Sequence, residues 1–210
     1  MIIKWLGHAG FLIECSGKRI ITDPFGDHVG YAPIYESADF ITISHSHKDH
    51  NVPEQVNGNP QILNQVGEHQ EKDITFRGIP SFHDQMKGKQ RGANIIFSIS
   101  SEGMNVVHLG DLGHVLIKEQ LSALGPVDIL LMPVGGNYTI DADGAWEVYQ
   151  QLRPPVVIPM HFKTPVCTLD VAPAEAFLRK FDKVIKKPFL QVSSEDLQGE
   201  SRVVVLDYLS

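Results

Sequence analysis

The chain has 210 residues and a formal net charge of −7, with 18 Lys and Arg against 25 Asp and Glu. Because the Lys and Arg are scattered rather than grouped on one periodic face, the charge argues against binding to nucleic acid or another long polyanion, whereas a small anionic substrate is compatible with it. The length suits one α/β domain with a sizeable core, and no Pro-, Gly- or Ser-rich stretch divides it. We therefore expect a single domain spanning residues 1–210.

The N-terminus and the cysteines indicate the compartment. Residues 1–8 begin at once with strand-like sequence and lack the basic region and long apolar core of an export signal. Apolar residues nowhere run for the ~18 to 20 positions that a membrane helix requires. We expect a cytoplasmic protein without a membrane span, in which Cys15 and Cys167 are free thiols in the core. The sequence leaves open whether the protein is a homo-oligomer.

The first half of the chain has the pattern of a β-sheet. Three short β-rich runs separated by Gly-containing turns predict an antiparallel meander over residues 2–6, 11–15 and 19–22. Residues 40–44 form an apolar, β-branched run that predicts a buried strand, and a short helix is expected after Asp49. Further strands are predicted over residues 61–64, 74–79, 94–100 and 105–109.

The second half alternates helices and strands. Helical spacing, ended by Gly or Pro, predicts helices over residues 114–124, 141–152 and 172–181. Strands are expected over residues 128–132, 156–159 and 202–208. Two sheet-rich stretches, each followed by helices, predict an α/β fold in which two packed sheets carry helices on their outer faces, a four-layer αββα sandwich.

Four potential metal ligands follow the predicted strand over residues 40–44 within six positions: His45, His47, Asp49 and His50. Residues i and i+2 share a side in extended chain, so His45 and His47 can converge on one cation, and Asp49 and His50 then need another centre. Four ligands this close are awkward around one tetrahedral ion and natural around two. Imidazole mixed with carboxylate suits Zn, Mn, Fe or Ni better than Ca or Mg. The alternative is a His-rich surface loop, which has little reason to follow a core strand so abruptly.

Three further candidate ligands, His83, Asp111 and His161, lie just past the ends of predicted strands. Strand ends deliver side chains to the edge of a sheet, where loops gather and sites are usually built. His108 lies inside a strand, so we favour a structural role for it. The sequence nevertheless leaves open a site in which His108 replaces His83.

With these residues the chain resembles the metal-dependent hydrolases of the metallo-β-lactamase fold. The matching segments run almost from end to end: Trp5-Leu6-Gly7-His8-Ala9, Thr22-Asp23-Pro24, the His45 to His50 run, His83, Leu109-Gly110-Asp111-Leu112-Gly113 and Pro159-Met160-His161-Phe162. Within that superfamily the chain is most similar to a branch of small hydrolases related to ascorbate-6-phosphate lactonase and to the phospholipase D that cleaves N-acylphosphatidylethanolamine.

The resemblance implies two divalent transition-metal ions, with Zn favoured and Mn, Fe or Ni as alternatives. His45, His47 and His83 would hold the first ion, Asp49, His50 and His161 the second, and Asp111 would bridge them. Asp23 resembles the superfamily's acidic residue that supports the ligand loop without binding metal.

Such a pair of cations ionises a shared water and polarises a carbonyl or phosphoryl oxygen, so hydrolysis is expected, with metal-bound hydroxide as the nucleophile. No Gly-x-Ser-x-Gly motif is present and neither cysteine sits beside a candidate base. Asp49 or Asp111 would orient the nucleophile and accept its proton. His8, in the turn over residues 7–10, and His114, in the loop after Asp111, are both expected near the rim of the metal site. They are candidates to protonate the leaving group, or they serve only as turn and capping residues.

Substrate contacts are less clearly marked. Residues 135–139 follow a strand and precede a helix, so their amides and the Tyr138 hydroxyl are candidates to contact substrate. Cationic residues near the ligands, which could pair with an anion, are Lys87, Lys89, Arg91 and Lys163. We expect a small, anionic ester, lactone or phosphodiester as substrate. The alternatives are a nuclease and a catalytically inactive or redox metalloprotein on the same fold.

Overall fold

The structure is a computed structural model and describes residues 1–209. Its strands, in chain order, are β1 (Ile2–Gly7), β2 (Gly10–Cys15), β3 (Lys18–Thr22), β4 (Phe40–Thr42), β5 (Gln61–Leu63), β6 (Gly67–Glu71), β7 (Ile74–Phe82), β8 (Ala93–Ser101), β9 (Met104–His108), β10 (Ile129–Pro133), β11 (Val156–Met160), β12 (Val184–Lys187), β13 (Leu190–Gln191) and β14 (Arg202–Leu206). Its α-helices are α1 (Lys118–Leu124), α2 (Ala142–Leu152) and α3 (Glu175–Leu178).

The strands form two mixed sheets. The first has six strands in the spatial order β13-β1-β2-β3-β4-β5. Its pairs from β13 to β3 are antiparallel, which confirms the meander expected at the N-terminus, and β3, β4 and β5 are parallel. The second has eight strands in the order β12-β14-β11-β10-β9-β8-β7-β6. It is antiparallel from β6 to β9 and parallel from β9 to β12.

The main core lies between the sheets. One hydrophobic cluster contains fully buried side chains from both, among them Phe11 and Ile13 of β2 and Phe76 and Val106 of the eight-stranded sheet. Because side chains alternate across a strand, Leu12 points to the opposite face of the six-stranded sheet and joins a separate cluster there. The fold therefore has one large interior and one smaller apolar layer outside the six-stranded sheet.

The fold class is the expected α/β sandwich of two sheets. The buried apolar residues of the three α-helices, including Val148 and Phe177, belong to the same hydrophobic cluster, which extends to both faces of the eight-stranded sheet, and α1 contacts β7. On the outer face of the six-stranded sheet, the covering layer in residues 1–209 consists of loop segments and the 3-10 helix Asp27–Val29. The fourth layer is thus made of loops rather than of α-helices.

Some helices are shorter than the sequence pattern predicts. α1 begins at Lys118 instead of residue 114, and α3 has four residues. The helix expected after Asp49 is replaced by turns and the 3-10 helix Pro53–Gln55. Proline disfavours the α conformation in the residue before it. Val52, which precedes Pro53, accordingly has φ −127° and ψ 60°. α2 is as predicted, and the Asp141 side chain caps it by accepting hydrogen bonds from the amides of Asp143 and Gly144.

Three strands were not predicted: β6, β12 and β13. β6 and β12 lie at the two edges of the eight-stranded sheet, each paired on one side, and are largely polar or exposed. Such strands lack the alternation that identifies a strand with one buried face. Cys15 and Cys167 are buried free thiols, as expected. None of the helices described for residues 1–209 is long and apolar enough to cross a membrane.

Candidate metal centre

The predicted ligands come together where strands of both sheets end. The run from His45 to His50 follows β4 of the six-stranded sheet, while His83 follows β7, Asp111 follows β9 and His161 follows β11. The first sheet therefore supplies one part of the cluster and the second sheet the other.

His45, His47 and His83 form one group, in which a candidate ligand atom of each lies within 4.8 Å of the others. His45 Nε2 is 3.1 Å from His47 Nδ1, and the His83 ring centroid is 4.8 Å from that of His45. The Ser44 hydroxyl oxygen lies 2.9 Å from His45 Nδ1 and so occupies the ring nitrogen that faces away from His47. Three imidazoles thus converge from two sheets.

Asp49, His50 and His161 form a second group, which His8 joins. His8 Nε2 lies 3.0 Å from His50 Nε2 and 3.4 Å from Asp49 Oδ2, and His50 Nε2 is 3.6 Å from Asp49 Oδ2. The His8 and His161 ring centroids are 4.3 Å apart. His8, a candidate proton donor or turn residue, is 1% exposed and lies within this group of candidate ligands.

One oxygen of Asp111 touches both groups. Its Oδ2 atom lies 3.0 Å from Nε2 of His83 and 3.9 Å from Nε2 of His45, in the first group. The same atom lies 3.2 Å from Nε2 of His50 and 3.4 Å from Nε2 of His161, in the second. Asp111 therefore lies between the two groups.

Asp23 holds the second group from behind. Its carboxylate is fully buried and accepts hydrogen bonds from the Ser44 amide at 2.7 Å and the Ser44 hydroxyl at 2.5 Å, and its Oδ2 lies 2.8 Å from His50 Nδ1. This places the proton of neutral His50 on Nδ1 and leaves the Nε2 lone pair facing the cluster. These are the contacts expected of a residue that supports the ligand loop.

The cluster is chemically suited to cations. Buried atoms without a hydrogen-bond partner include Asp111 Oδ1 and both ring nitrogens of His161, and such atoms cost about 1 to 3 kcal/mol each when unpaired. Ligand atoms about 2.0 to 2.1 Å from a tetrahedral Zn lie roughly 3.3 Å from one another. The three distances among His8, His50 and Asp49, from 3.0 to 3.6 Å, scatter around that value. The donor set therefore fits divalent transition metals.

The pKa shifts of the clustered side chains also favour the binding of a cation. Burial lowers the pKa of His45 to about 3 and that of His8 to about 3, so both rings are neutral at neutral pH. Burial alone would raise the pKa of Asp111, but attraction to His161 and His50 holds it well below its usual range. Burial opposes the charged form of His50, yet the Asp111 and Asp23 carboxylates raise its pKa well above the ordinary value. A divalent cation would displace that proton, because imidazole ligands bind in the neutral form.

Two candidate histidines have both ring nitrogens occupied by the backbone. Nε2 of His108 lies 2.8 Å from the Ala9 carbonyl oxygen, and its Nδ1 accepts from the Gly110 amide at 3.1 Å. Nδ1 of His114 lies 2.8 Å from the carbonyl oxygen of Val115, and its Nε2 accepts from the backbone amide of β7 at 3.3 Å. Neither ring is available in this arrangement, to a metal for His108 or to a leaving group for His114.

Asn94, which the sequence did not single out, and Gly113 of the Asp111 motif position the loop that carries Asp111. The side-chain amide of Asn94 accepts from the Asp111 amide at 2.9 Å and donates to the Leu109 carbonyl at 2.9 Å, which fixes the loop carrying Asp111. Gly113 packs on the other side of this loop, where a Cβ would overlap the backbone of His83 and Asp84. An isolated Asn at a strand start carries no sequence signal, whereas the two glycines flanking Asp111 were part of the recognised motif.

A small cavity of about 270 Å³ adjoins the first group. His45 and His47 are among the residues that line it, and so are the polar residues Asn51, Asn64 and Arg91. Tyr138, predicted to contact substrate, has its ring centroid 5.6 Å from the Arg91 guanidinium carbon. Lys163 is directed elsewhere, since its ammonium group donates to the Leu169 carbonyl at 2.8 Å.

Comparison with known proteins shows the family of the chain. The profile of the family described as the beta-lactamase superfamily domain matches residues 2–161. A UPF0173 metal-dependent hydrolase of Carboxydothermus hydrogenoformans is 30% identical over 201 residues, covering 81% of this chain and 89% of the relative. One from Archaeoglobus fulgidus is 31% identical over 196 residues, covering 78% and 84%.

A solved structure extends the similarity to almost the whole chain. The crystal structure of a candidate Zn-dependent hydrolase of the metallo-beta-lactamase superfamily from Thermotoga maritima superposes with a TM-score of 0.84 at 38% identity, covering 99% of both chains. Fold, cluster and relatives together define a metal-dependent hydrolase of the metallo-β-lactamase superfamily. Within that superfamily the chain belongs to the UPF0173 metal-dependent hydrolases.

Proposed function

We propose that the protein hydrolyses a small ester, lactone or phosphodiester at a centre of two divalent transition-metal ions. The observation that carries the proposal is the position of Asp111 Oδ2 between two separate groups of ligand atoms. The resemblance of the motifs to the branch containing ascorbate-6-phosphate lactonase and the N-acylphosphatidylethanolamine phospholipase D supports lactones and phosphodiesters as substrate classes.

His45, His47 and His83 would hold the first ion, and Asp49, His50 and His161 the second, with Asp111 bridging. His83 is preferred to His108, since both ring nitrogens of His108 bond to the backbone. We add His8 to the second set, because its Nε2 atom is aimed at His50 and Asp49. As a buried neutral ring it fits coordination better than protonation of a leaving group.

Two such ions would lower the pKa of a shared water and polarise the scissile carbonyl or phosphoryl oxygen. The chain supplies the rest. Asp111 keeps a negative charge between the two groups, which orients the attacking water by hydrogen bonding. Asp49 is the acidic ligand with the more exposed side chain, 23% against 2% for Asp111, so its carboxylate can take the water's proton and pass it to solvent.

Six imidazoles with two carboxylates favour zinc, with manganese, iron and nickel as the other metals that accept nitrogen and oxygen ligands. Three carboxylates meet in and behind the cluster, and their ion pairs are with histidines alone. Two dications would neutralise this buried negative charge while leaving net positive potential for an anionic substrate.

The test is metal analysis of protein purified without chelator, combined with assays on lactone, phosphodiester, ester and thioester substrates. We expect two transition-metal ions per chain and turnover of at least one class, lost on chelation and restored by metal. Two ions without turnover of any class would support an inactive metalloprotein instead. Cleavage of nucleic acid in preference to small substrates would support a nuclease, and a redox change at a di-iron centre would support the oxidoreductase alternative.

A further inference from the structure

We propose that Arg91 recognises an anionic group of the substrate, a carboxylate or phosphoryl group remote from the scissile bond, in the cavity beside His45 and His47. This inference rests on the proposed function and names the residue that selects its substrate. Four features of the structure carry it.

The first feature is the cavity itself. It has Arg91 in its lining together with His45 and His47, so a molecule bound there lies beside both Arg91 and the candidate metal ligands. Its volume of about 270 Å³ lies just below the range of roughly 300 to 1,000 Å³ typical of small-molecule sites. The occupant is therefore small, and its charged end and reacting end are both within reach of the site.

The second feature is the unpaired charge of Arg91. Across residues 1–209, the arginines that pair with a carboxylate are Arg19 and Arg77, and Arg91 has no such partner. A guanidinium presents donors in a planar fork that matches a carboxylate or phosphoryl group. Arg91 is half-buried, so an anion that binds it is partly shielded from water.

The third feature is the orientation of the side chain. The Arg91 guanidinium carbon lies 5.6 Å from the centroid of the Tyr138 ring, within the distance of a cation–π contact. Tyr138 belongs to the loop after β10, whereas Arg91 belongs to the loop after His83. Stacking between two loops limits the freedom of a side chain that would otherwise be mobile in solvent.

The fourth feature is a carboxylate that fixes the Arg91 backbone. Asp84, next to His83, accepts hydrogen bonds from the amides of Met86, Gly88, Gln90 and Arg91 at 2.7 to 2.9 Å. Burial alone would raise the pKa of Asp84, but these four amides lower it to about 2. The loop is closed by the His83 amide, which donates to the Gly92 carbonyl at 3.1 Å. Asp84 is a positioning residue that ties Arg91 to a candidate ligand.

The experiment compares two methyl esters of equal acyl length, methyl butyrate and monomethyl succinate, which differ by a terminal carboxylate and whose cleavage is followed by acid release at constant pH. We expect the wild type to favour the succinyl ester. Arg91→Gln should reduce kcat/KM for that ester by about 10- to 100-fold, the cost of one hydrogen bond to a charged group, mainly through KM, and change the butyryl ester less than about threefold. Arg91→Lys should fall between, because it keeps the charge and loses the fork.

The matched control is Lys89→Gln, which removes one positive charge from the same loop at an exposed position. Its ratio between the two esters should stay at the wild-type value. Tyr138→Phe keeps the ring face and should also leave the ratio unchanged, whereas Tyr138→Leu should lower it. Equal losses in Arg91→Gln and Lys89→Gln would mean that only overall charge acts, and this would overturn the assignment.

A binding measurement separates this inference from the proposed function. Succinate and butyrate are titrated calorimetrically into metal-loaded wild type, Arg91→Gln and Lys89→Gln, with metal content measured on each preparation. Tighter binding of succinate that is lost only in Arg91→Gln supports the inference even if neither ester is cleaved. Two bound metals with ester turnover, but no effect of Arg91→Gln on either ligand, would reject the Arg91 subsite and leave the hydrolase intact. Failure to bind metal would reject both.

Discussion

Replacing Asp23 by Asn tests whether the Asp23 carboxylate positions the His45 to His50 run through its hydrogen bonds to Ser44 and His50. The carboxylate accepts from the Ser44 amide through Oδ1 and faces His50 Nδ1 through Oδ2. An amide has one acceptor oxygen, so in either orientation its NH2 group opposes one of these two donors. Losing one hydrogen bond to a charged group costs about 1.5 to 3 kcal/mol, and the stranded buried donor adds about 1 to 3 kcal/mol.

We therefore expect Asp23→Asn to destabilise the protein by about 3 kcal/mol, a large share of the roughly 5 to 15 kcal/mol of a typical domain. Because Asp23 also sets the tautomer of His50, metal affinity should fall by about 10- to 100-fold. Urea unfolding of the metal-loaded protein measures the first effect and competition with a chelator the second. Asp207→Asn, at an exposed carboxylate, is the control. Stability within about 0.5 kcal/mol of wild type, with unchanged metal affinity, would refute the reasoning.

The same variant has a pH signature. Burial would raise the pKa of Asp23, but attraction to His108 and His50 and the hydrogen bond with His50 lower it. A carboxyl group whose folded pKa lies below its unfolded value, about 3.9, stabilises the protein above that pH and loses this contribution as the pH falls toward the folded pKa. Asp23→Asn should therefore flatten the loss of stability below about pH 4 relative to wild type.

Three further substitutions test other parts of the site. His47→Ala should lower both metal content and melting temperature, while Asn51→Ala on the same loop should not; full metal occupancy in His47→Ala would contradict the ligand assignment. Asp111→Asn should reduce turnover by more than the about 10- to 100-fold typical of residues that only support ligands, and unchanged turnover would remove its bridging role. Gly113→Ala should destabilise by about 1 to 3 kcal/mol, because its Cβ meets the His83 backbone, whereas Gly144→Ala in α2 should be tolerated; equal unfolding midpoints for the two variants would contradict this packing.

The strand ends explain why the clustering of the candidate ligands was predictable from sequence. Each candidate site residue follows a strand. In the six-stranded sheet, β1 leads into His8, β3 into Asp23 and β4 into the His45 run. In the eight-stranded sheet, β7 leads into His83, β9 into Asp111, β10 into the Tyr138 loop and β11 into His161. In each sheet these strands run in one direction, as the pairings show, so their C-terminal ends share an edge. An apolar run followed by a lone His or Asp is visible in sequence. Because these strands run in the same direction within each sheet, the residues that follow them lie at the same edge and form a cluster.

Other features depended on contacts that the sequence does not display. The place of His8 in the cluster comes from its 3.0 Å approach to His50, which is 42 positions away in the chain. The interpretation of His108 and His114 depends on backbone groups that occupy their ring nitrogens, among them the Ala9 carbonyl for His108 and the amide of Phe82 in β7 for His114. The short α1 follows from the same cause, since the His114 ring is held by β7 and the residues before Lys118 stay outside the helix.

Strands position the candidate metal ligands, whereas a loop positions Arg91, the proposed substrate contact. The candidate metal ligands stand immediately beyond buried strands, where a displacement would disturb both the core and the cluster. Arg91 stands eight positions beyond His83, on a loop whose shape is set by one carboxylate, Asp84, and its backbone hydrogen bonds. Such a loop can change its residues and its length while the cluster keeps its geometry. A chain built in this way can alter the proposed substrate contact without rebuilding the candidate metal centre, since the two rest on different hydrogen bonds.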